Sequence, residues 1–351
     1  MGTSNLKVEK LSQMKAILWS NNKDIRLIDL PLQSPRPGEI LVKVMACGIC
    51  GSDVVEWYRL PRAPLIPGHE IGAQVVEVGE KVSRFKPGDR VFIAPKVPCG
   101  KCFYCRHGHF PQCSEIKERL PGGLAEYILV PEIIVNRGTY LLPENLSYEE
   151  STFIEPLACV IRSQHLAKLK SGQIVLILGS GVSGLLHLQL AKRKKCWVIN
   201  TDIVEKKLSL AKEMGADFTL LATDNISEKI QEKFGKKADL VILCTSSLSA
   251  IEQAWMSVDK GGTIVFFAVP GPEKKVFIPL NFFWTQEIKI LTSYYCGPLE
   301  IEEAMKLLKE RKIEVNRLIS HRLPLDQTAQ GYQLVLEGRE ALKIIIKPHF
   351  E

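Results

Sequence analysis

A change of rhythm near residue 155 limits the fold of this 351-residue chain more than any other feature. Beyond it, apolar runs of strand length alternate with segments of helical periodicity. Within residues 182–190, for example, apolar residues recur at i, i+3, i+4 and i+8, which places them on one helix face. Strands buried on both faces and joined by helices predict a parallel, doubly wound sheet. The strand-like runs are QIVLIL (173–178), CWVINT (196–201), DLVILC (239–244), TIVFFA (263–268) and IKILT (288–292).

The earlier part of the chain has a different pattern. From about Met14 to Val130, short apolar segments such as ILVKVMA and AQVVEVG are cut by proline and glycine, which is typical of an all-β, barrel-like domain. The last fifty or so residues add two helical stretches and the strand LKIIIK without a clean boundary. A chain of this length exceeds one ordinary core, so we expect two domains.

Composition excludes several classes of function. The 46 basic residues are scattered among 39 acidic ones, and no basic stripe interleaves with aromatic residues, so we expect no nucleic-acid binding. No stretch approaches the roughly 20 apolar residues that span a bilayer. The opening segment MGTSNLKVEKLSQ lacks the apolar centre of a secretory signal. We therefore expect a cytoplasmic protein that does not bind membranes, and we assign the opening segment no function.

Four of the ten cysteines fall within fifteen residues, in CGKCFYCRHGHFPQC. Their spacing, C-x2-C-x2-C-x7-C, allows four thiolates to surround one ion tetrahedrally, as in structural zinc sites. A [4Fe–4S] cluster is the alternative. The β-rich surroundings and the lack of an electron-transfer motif favour zinc, and His107 and His109 are surplus to a complete shell. The predicted ligands of this structural zinc are Cys99, Cys102, Cys105 and Cys113.

A second motif, GSGVSG, has the form GxGxxG. It follows the strand QIVLIL directly, opens a helix and is followed by Asp202 at the end of the next strand, and this context predicts dinucleotide binding. The glycines allow the pyrophosphate to approach the positive end of the helix. Asp202 can accept hydrogen bonds from the ribose of NAD but repels a 2′-phosphate. Ile203 follows it instead of an arginine, so NAD is favoured over NADP.

Three further metal-ligand residues lie in separate loops: Cys50 in ACGICGSD, and His69 and Glu70 in PGHE. A cysteine, a histidine and a carboxylate that leave one position open suit a catalytic zinc. Spacing alone leaves ordinary core packing as the alternative.

These motifs together resemble the zinc-containing medium-chain dehydrogenases of the alcohol dehydrogenase superfamily, over nearly the whole chain from Met14. The segment FIEPLACV, which holds Glu155, is similar to the sorbitol and threonine dehydrogenase branch. The resemblance implies an α/β fold of two domains. A GroES-like β-barrel catalytic domain would cover 1–155, completed by 297–351, and a Rossmann domain with a doubly wound parallel sheet would cover 156–296.

The resemblance also implies roles for individual residues. Cys50, His69 and Glu155 would ring the catalytic zinc, with Glu70 as a direct or water-mediated alternate ligand. Asp53 would orient the zinc-bound histidine, and Ser52 would hydrogen-bond the substrate oxygen. Lys343 stands where the family often has a basic residue near the pyrophosphate. The expected cofactor contacts are Gly179, Gly181, Val182, Ser183, Gly184, Asp202, Lys207, Thr245, Val269 and Lys343.

The implied activity is NAD-linked oxidation of a secondary alcohol or polyol, or reduction of the matching ketone, with two zinc ions per subunit of a homodimer or homotetramer. Val55 replaces a histidine that passes the proton to solvent in many members, so a shorter relay or water must act. The alternatives are a threonine dehydrogenase, a non-catalytic relative and a zinc-free quinone or enoyl reductase. A pocket cation that contacts a carboxylate would favour threonine. Candidate pocket residues are Trp57, Tyr58, Phe283, Tyr294 and Tyr295.

Overall fold

The computed structural model describes residues 12–116 and 118–350, so the opening segment lies outside it up to residue 11. Its strands are β1 (Gln13–Asn21), β2 (Asp24–Pro31), β3 (Ile40–Ile49), β4 (Glu70–Val78), β5 (Arg90–Ile93), β6 (Tyr127–Val130), β7 (Thr139–Leu141), β8 (Ile174–Leu178), β9 (Trp197–Asp202), β10 (Phe218–Leu221), β11 (Ala238–Leu243), β12 (Val258–Phe266), β13 (Lys289–Thr292), β14 (Ile319–Pro324) and β15 (Lys343–Lys347). Its α-helices are α1 (Glu56–Arg59), α2 (Phe103–Arg106), α3 (Glu132–Gly138), α4 (Tyr148–Ser151), α5 (Ile154–Leu166), α6 (Val182–Arg193), α7 (Glu205–Glu213), α8 (Ile226–Phe234), α9 (Leu248–Ser257), α10 (Leu280–Thr285), α11 (Pro298–Lys309) and α12 (Thr328–Glu337).

The six strands from β8 to β13 form a parallel sheet in the order β10-β9-β8-β11-β12-β13. Counted from β8, this is the order 3-2-1-4-5-6 of a doubly wound sheet, and the strand order reverses between β8 and β11. All five residues of β8 are buried, as expected for a strand covered on both faces. The prediction of a parallel sheet is confirmed. Strand β10 was not predicted, because three of its four residues are only partly buried and its apolar run is short.

The second sheet contains strands from both ends of the chain. Its order is β14-β15-β3-β4-β5-β7, with β6 also paired to β3. All pairs are antiparallel except β14 with β15. Because Ile344 pairs with Ile49, the last strand of the chain lies beside the end of β3. The limits of the two domains at 155/156 and 296/297 stay a prediction.

Helix α5 connects the two sheets. It packs against α6 and α11, and its residues share one hydrophobic core with β8 and with Ile345 of β15. Glu155 lies in its first turn, where a carboxylate is favoured by the helix dipole, and it is buried. The side chain of Glu155 is thus held on a rigid element between the sheets. Among the residues described, no helix combines the length and the apolar character needed to cross a bilayer.

Helix α6 contains a fully buried histidine, His187. Its Nδ1 lies 3.3 Å from Gln164 Nε2, and its ring meets Phe267 edge to face at 4.9 Å. Burial lowers the pKa of this imidazole to about 3. The folded protein therefore holds His187 neutral at pH values where the unfolded chain binds a proton.

This difference predicts an acid-dependent loss of stability. Above a pH of about 6.5 the imidazole of residue 187 is neutral in both the folded and the unfolded state. Below that pH only the unfolded state gains a proton, so the free energy of unfolding decreases as the pH is lowered. The free energy of unfolding should drop by about 2 kcal/mol more between pH 7 and pH 5 in the wild type than in His187→Leu. Urea unfolding at fixed protein and zinc concentrations measures this. If the unfolding free energy changed equally with pH in the two proteins between pH 7 and pH 5, the prediction would be contradicted. Between pH 7 and pH 8, where the histidine is neutral in both states, the two pH dependences should coincide.

Candidate active site

Cys50 follows β3 and caps a short 3-10 turn, Gly51–Val54. Its Sγ accepts hydrogen bonds from Ser52 N at 3.4 Å and from Ser52 Oγ at 3.3 Å. Its own backbone N–H donates to Asp53 Oδ2 at 3.0 Å. These bonds hold the sulfur of Cys50 and the hydroxyl of Ser52 next to each other.

His69 comes next to Cys50 through strand pairing. Strand β4 begins at Glu70, and Gly48 of β3 pairs antiparallel with Glu70, so Cys50 and His69 both lie just beyond this pair. One ligand atom from each of Cys50, His69 and Glu70 lies within 4.8 Å of the others. The sulfur, the imidazole and the carboxylate that the sequence singled out are therefore close together.

Arg59 completes this group, and the sequence analysis missed it. Its Nη2 lies 2.7 Å from Asp53 Oδ1 and donates to Ser52 Oγ at 2.9 Å. Asp53 Oδ1 also lies 3.3 Å from His69 Nδ1. Burial alone would raise the pKa of the Asp53 carboxyl, but His69, Arg59 and the Cys50 N–H outweigh burial and hold this pKa at about 2. Asp53 is thus an anion that fixes one ring nitrogen of His69.

Two more carboxylates lie close by. Glu70 forms a buried ion pair with Lys343, and its Oε1 has no hydrogen-bond partner among the described residues. Glu155 Oε1 accepts from Cys159 Sγ at 3.5 Å, and Glu155, Cys159 and Cys296 form a separate group of ligand atoms within 4.8 Å. Burial raises the pKa of Glu155, which His69 opposes and Glu70 reinforces. The two glutamates therefore repel each other.

Lys343 is placed differently from the role that the resemblance implies. Its ammonium contacts Glu70 and the carbonyl of Ile49, whereas a contact with a pyrophosphate was expected. Burial alone would lower the pKa of Lys343, but Glu70 raises it above its usual value. A buried ammonium group needs a carboxylate partner, and the partner of Lys343 is Glu70, which belongs to the metal-ligand group.

The charges at this site favour a bound cation. Burial alone would lower the pKa of His69, but Asp53 and Cys50 raise it well above its usual value. Oε1 of Glu70 also has no hydrogen-bond partner among the described residues, and the pKa of Glu155 stays raised although His69 and Lys343 lower it. Soft sulfur, imidazole and carboxylate form the donor set that zinc accepts. These residues therefore fit a metal ion.

The cysteine-rich loop brings its four sulfurs within 4.8 Å of one another. Cys99 Sγ accepts from the backbone N–H of Cys102 at 3.2 Å, and Cys113 Sγ accepts from that of Cys99 at 3.3 Å. Burial alone would raise the pKa of Cys113, but backbone donors from Cys99, Ile116 and Glu115 lower it to about 6. Backbone N–H groups thus favour the thiolates of Cys113 and Cys99, whereas burial and the neighbouring cysteines raise the pKa of Cys105 to about 12.

The glycine turn lies between β8 and α6, as predicted. Gly179 has a φ of +102°, and a Cβ on Gly184 would lie 1.9 Å from the carbonyl oxygen of Gly179. A Cβ on Gly181 would meet no protein atom within 4 Å. Helix α6 begins at Val182 without a side-chain cap. The open space and uncapped N–H groups suit the approach of a phosphate.

The remaining candidates for cofactor binding differ in how close they lie to this turn. Asp202 accepts from the backbone N–H of Ser180 at 2.7 Å and of Val204 at 3.0 Å, which fixes its carboxylate beside the turn. Thr245 lies against Gly179. Val269 is exposed beyond the end of β12. Lys207 donates to the carbonyl of Gly338 at 2.6 Å, so its ammonium is engaged with the protein.

A cavity of about 520 Å³ joins the two sites. Cys50, His69 and Glu155 form part of its wall, as does Ser183 of the glycine turn. Tyr58, Tyr294 and Tyr295 also line it, whereas Trp57 and Phe283 do not. A volume of this order suits a small ligand.

Fold and site together define the class of protein: a dehydrogenase in which a metal-ligand group faces a dinucleotide-binding turn across one cavity. Comparison with known proteins agrees. The alcohol dehydrogenase GroES-like domain matches residues 36–138, and the zinc-binding dehydrogenase domain matches 183–310.

Individual relatives cover nearly the whole chain. The sorbitol dehydrogenase of Gallus gallus is 30% identical over 95% of this chain and 96% of its own. A putative zinc-binding dehydrogenase from Sinorhizobium meliloti 1021, solved with NADP, is 31% identical with a TM-score of 0.85 over 96% of this chain and 100% of its own. A short chain alcohol dehydrogenase from Escherichia coli CFT073, solved with NADH, is 26% identical with a TM-score of 0.85, over 96% of this chain and 100% of its own.

The chain belongs to the zinc-type alcohol dehydrogenase family, in its sorbitol dehydrogenase-like branch. This confirms the predicted family and the fold class of a GroES-like and a Rossmann domain. It also confirms the reaction class, zinc-dependent oxidoreduction of alcohols or polyols.

Substituting one cysteine from each group should separate their roles. Cys50→Ser should lower kcat by about 1,000-fold or more, because a ligand of the reaction centre is lost, and leave the unfolding midpoint nearly unchanged. Cys99→Ser should instead lower the unfolding free energy by several kcal/mol, on the order expected for losing a structural zinc.

Steady-state kinetics, urea unfolding and zinc per subunit measure these effects, with Cys196→Ser as the matched control outside both groups. Full activity in a Cys50→Ser protein that lacks one zinc would refute the assignment of Cys50.

Proposed function

We propose that this protein oxidises a secondary alcohol or polyol with NAD, or reduces the matching ketone, using one catalytic and one structural zinc per subunit. The observation that carries the proposal is the shared cavity. Cys50 and His69 line it, and so does Ser183 of the glycine turn. A substrate between them would contact both the metal-ligand group and a bound nicotinamide, as transfer of a hydride requires.

Cys50, His69 and Glu155 would hold the catalytic zinc, with Glu70 as the alternate carboxylate, and the four loop cysteines would hold the structural zinc. When bound, zinc lowers the pKa of a hydroxyl next to it, and NAD accepts the hydride. The alternate role of Glu70 is supported by its unpaired Oε1 and by its place in one group with Cys50 and His69.

Ser52 would take the hydroxyl proton of the substrate while its own hydroxyl proton passes to water. Its Oγ lines the cavity and accepts from Arg59 Nη2, whose positive charge stabilises negative charge on a neighbouring oxygen. Arg59 cannot itself pass a proton on, because it does not deprotonate in proteins. With Val55 where many relatives have a histidine, the proton must leave Ser52 through water.

The side chains around the cavity also support a hydroxyl-rich substrate. The hydroxyls of Ser293 and Tyr295 are buried and have no hydrogen-bond partner among the described residues. Both residues line the cavity. Unpaired buried hydroxyls are costly, and the hydroxyls of a polyol would satisfy them.

The cofactor preference follows from Asp202. Its carboxylate beside the glycine turn can accept from two ribose hydroxyls and repels a 2′-phosphate, so we propose NAD over NADP. We also propose a homodimer or homotetramer in the cytoplasm, where the ten free cysteines stay reduced.

Two competing functions are disfavoured. A zinc-free quinone or enoyl reductase would need neither the four-sulfur group nor the Cys50 group. A non-catalytic relative would need no open metal position facing the glycine turn.

The proposal predicts about two zinc ions per subunit and NAD reduction by at least one secondary alcohol or polyol. Metal analysis followed by a screen of alcohols, polyols and threonine, read by nicotinamide absorbance, tests it. A zinc-loaded protein that reduces neither NAD nor NADP with any alcohol, and oxidises NADH with no ketone, would refute the proposal.

Cofactor choice has its own test. Asp202→Asn removes the negative charge but keeps an oxygen acceptor for the turn, so it should lower the NAD-to-NADP ratio of kcat/KM by about tenfold or more. Kinetics with each cofactor measure this ratio. Asp259→Asn, near the amino end of β12, is the matched control. An unchanged ratio in Asp202→Asn would contradict the proposed role.

A further inference from the structure

The cavity wall carries an excess of positive charge. Four basic side chains line it, and the single acidic residue among its lining is Glu155, proposed above as a zinc ligand. Arg59 is already paired with Asp53 and is therefore not counted as a partner for a further anion. The other basic residues are Arg62, Lys96 and Arg119.

None of these three has a carboxylate within ion-pair distance in residues 12–116 and 118–350. Neutral groups hold two of them instead. Lys96 Nζ donates to the carbonyl of Pro111 at 2.7 Å. Arg62 Nη2 donates to the carbonyl of Tyr58 at 3.2 Å, and its guanidinium lies 4.8 Å from the centre of the Tyr58 ring. Neither cation has a carboxylate partner; Lys96 is partly buried, whereas Arg62 and Arg119 are exposed and water screens part of their charge.

The three charges converge on one part of the cavity. Burial, and then the charge of Arg119, lower the pKa of Lys96. Arg62 and Arg119 both act on the hydroxyl of Tyr294, lowering its pKa against burial and the contact with Tyr58, which together raise it to about 12. The hydroxyls of Tyr58 and Tyr294 lie 2.7 Å apart. Like charges gathered around this tyrosine pair repel each other, and a bound anion would relieve that repulsion.

The pyrophosphate of the cofactor does not account for these cations. Its expected position is at Gly181 and the first turn of α6, in the parallel sheet domain. Arg62 and Lys96 instead follow strands and turns of the sheet that carries Cys50 and His69, on the substrate side of the cavity. A second anionic group therefore fits there.

We propose that the substrate is an anionic polyol, with a carboxylate or phosphate held by Arg62, Lys96 and Arg119 while a hydroxyl-bearing carbon lies at the Cys50 and His69 group. This inference rests on the proposed function and names its substrate class: sugar acids of the aldonate type or polyol phosphates. Ser293 and Tyr295 would bind hydroxyls between the two ends.

Threonine fits this cavity less well. Its carboxylate matches the cations, but its ammonium group would lie among positive charges. The one acid in the lining, Glu155, is committed to the metal. A positive pocket without a second carboxylate therefore favours an anion that has no amino group.

The test is a kinetic comparison of matched substrates with the zinc-loaded enzyme and NAD. Pentitols and hexitols are each compared with the corresponding aldonate and terminal phosphate, and threonine is included. We expect kcat/KM to be about 100-fold higher for at least one anionic member than for its neutral counterpart, in line with two charge-assisted hydrogen bonds. The aldonates and the phosphates separate the two sources of negative charge.

Variants assign this preference to the three cations. Lys96→Gln and Arg119→Gln should each lower the anionic-to-neutral ratio of kcat/KM by about tenfold. Lys260→Gln is the matched control, because Lys260 is exposed near the amino end of β12, opposite the cleft, and it should leave the ratio unchanged. As a readout without turnover, calorimetry of the NADH-bound enzyme should detect glutarate or inorganic phosphate, and the double variant Lys96→Gln/Arg119→Gln should lose this binding.

The outcomes separate this inference from the proposed function. Equal use of neutral and anionic polyols, or preference for threonine, would overturn the inference and leave the dehydrogenase function intact. If no alcohol is oxidised, the proposed function fails, and the calorimetry alone then tests the anion site. Binding of glutarate or phosphate that is lost in the double variant still supports an anion site, and no binding overturns it.

Discussion

Compensation of buried charge is the constraint on which this site depends. A carboxylate removed from water is costly unless a positive group lies beside it. Asp53 has Arg59, and Glu70 has Lys343. The second oxygen of Glu70 has no hydrogen-bond partner among the described residues, and it lies in one group of ligand atoms with Cys50 and His69, where we propose the catalytic zinc. In the same cavity, Arg62, Lys96 and Arg119 have no carboxylate partner among the described residues, and the proposed anionic substrate would supply one.

The groups whose proximity could be predicted from the sequence are those that lie in one short segment. The four-cysteine loop and the glycine turn each contain their whole pattern within about fifteen residues, so local backbone geometry is enough to bring the groups together. The long strands of the parallel sheet were also predictable, because burial on both faces demands continuous apolar runs. The short strand β10 was not, since its partly exposed residues carry no comparable pattern.

The parts that were missed depend on contacts between distant segments. Arg59 follows the motif GSD by one helical turn, but nothing in its spacing shows that it binds Asp53 and Ser52 rather than solvent. Lys96 lies in the loop after β5, and Arg119 follows the cysteine-rich loop. Only the folded chain brings them to one cavity. The position of Lys343 was predicted as a cofactor contact, yet desolvation directs its ammonium to the nearest buried carboxylate, Glu70.

That ion pair joins residues 273 positions apart, across the boundary between β4 and the final strand β15. During synthesis, the cysteine and histidine near the start of the chain leave the ribosome long before Lys343 does. Glu70 therefore has no cation partner until the segment that carries Lys343 has also been made and β15 has paired with β3. The buried pair thus couples an early-made strand of this sheet to one that is made much later.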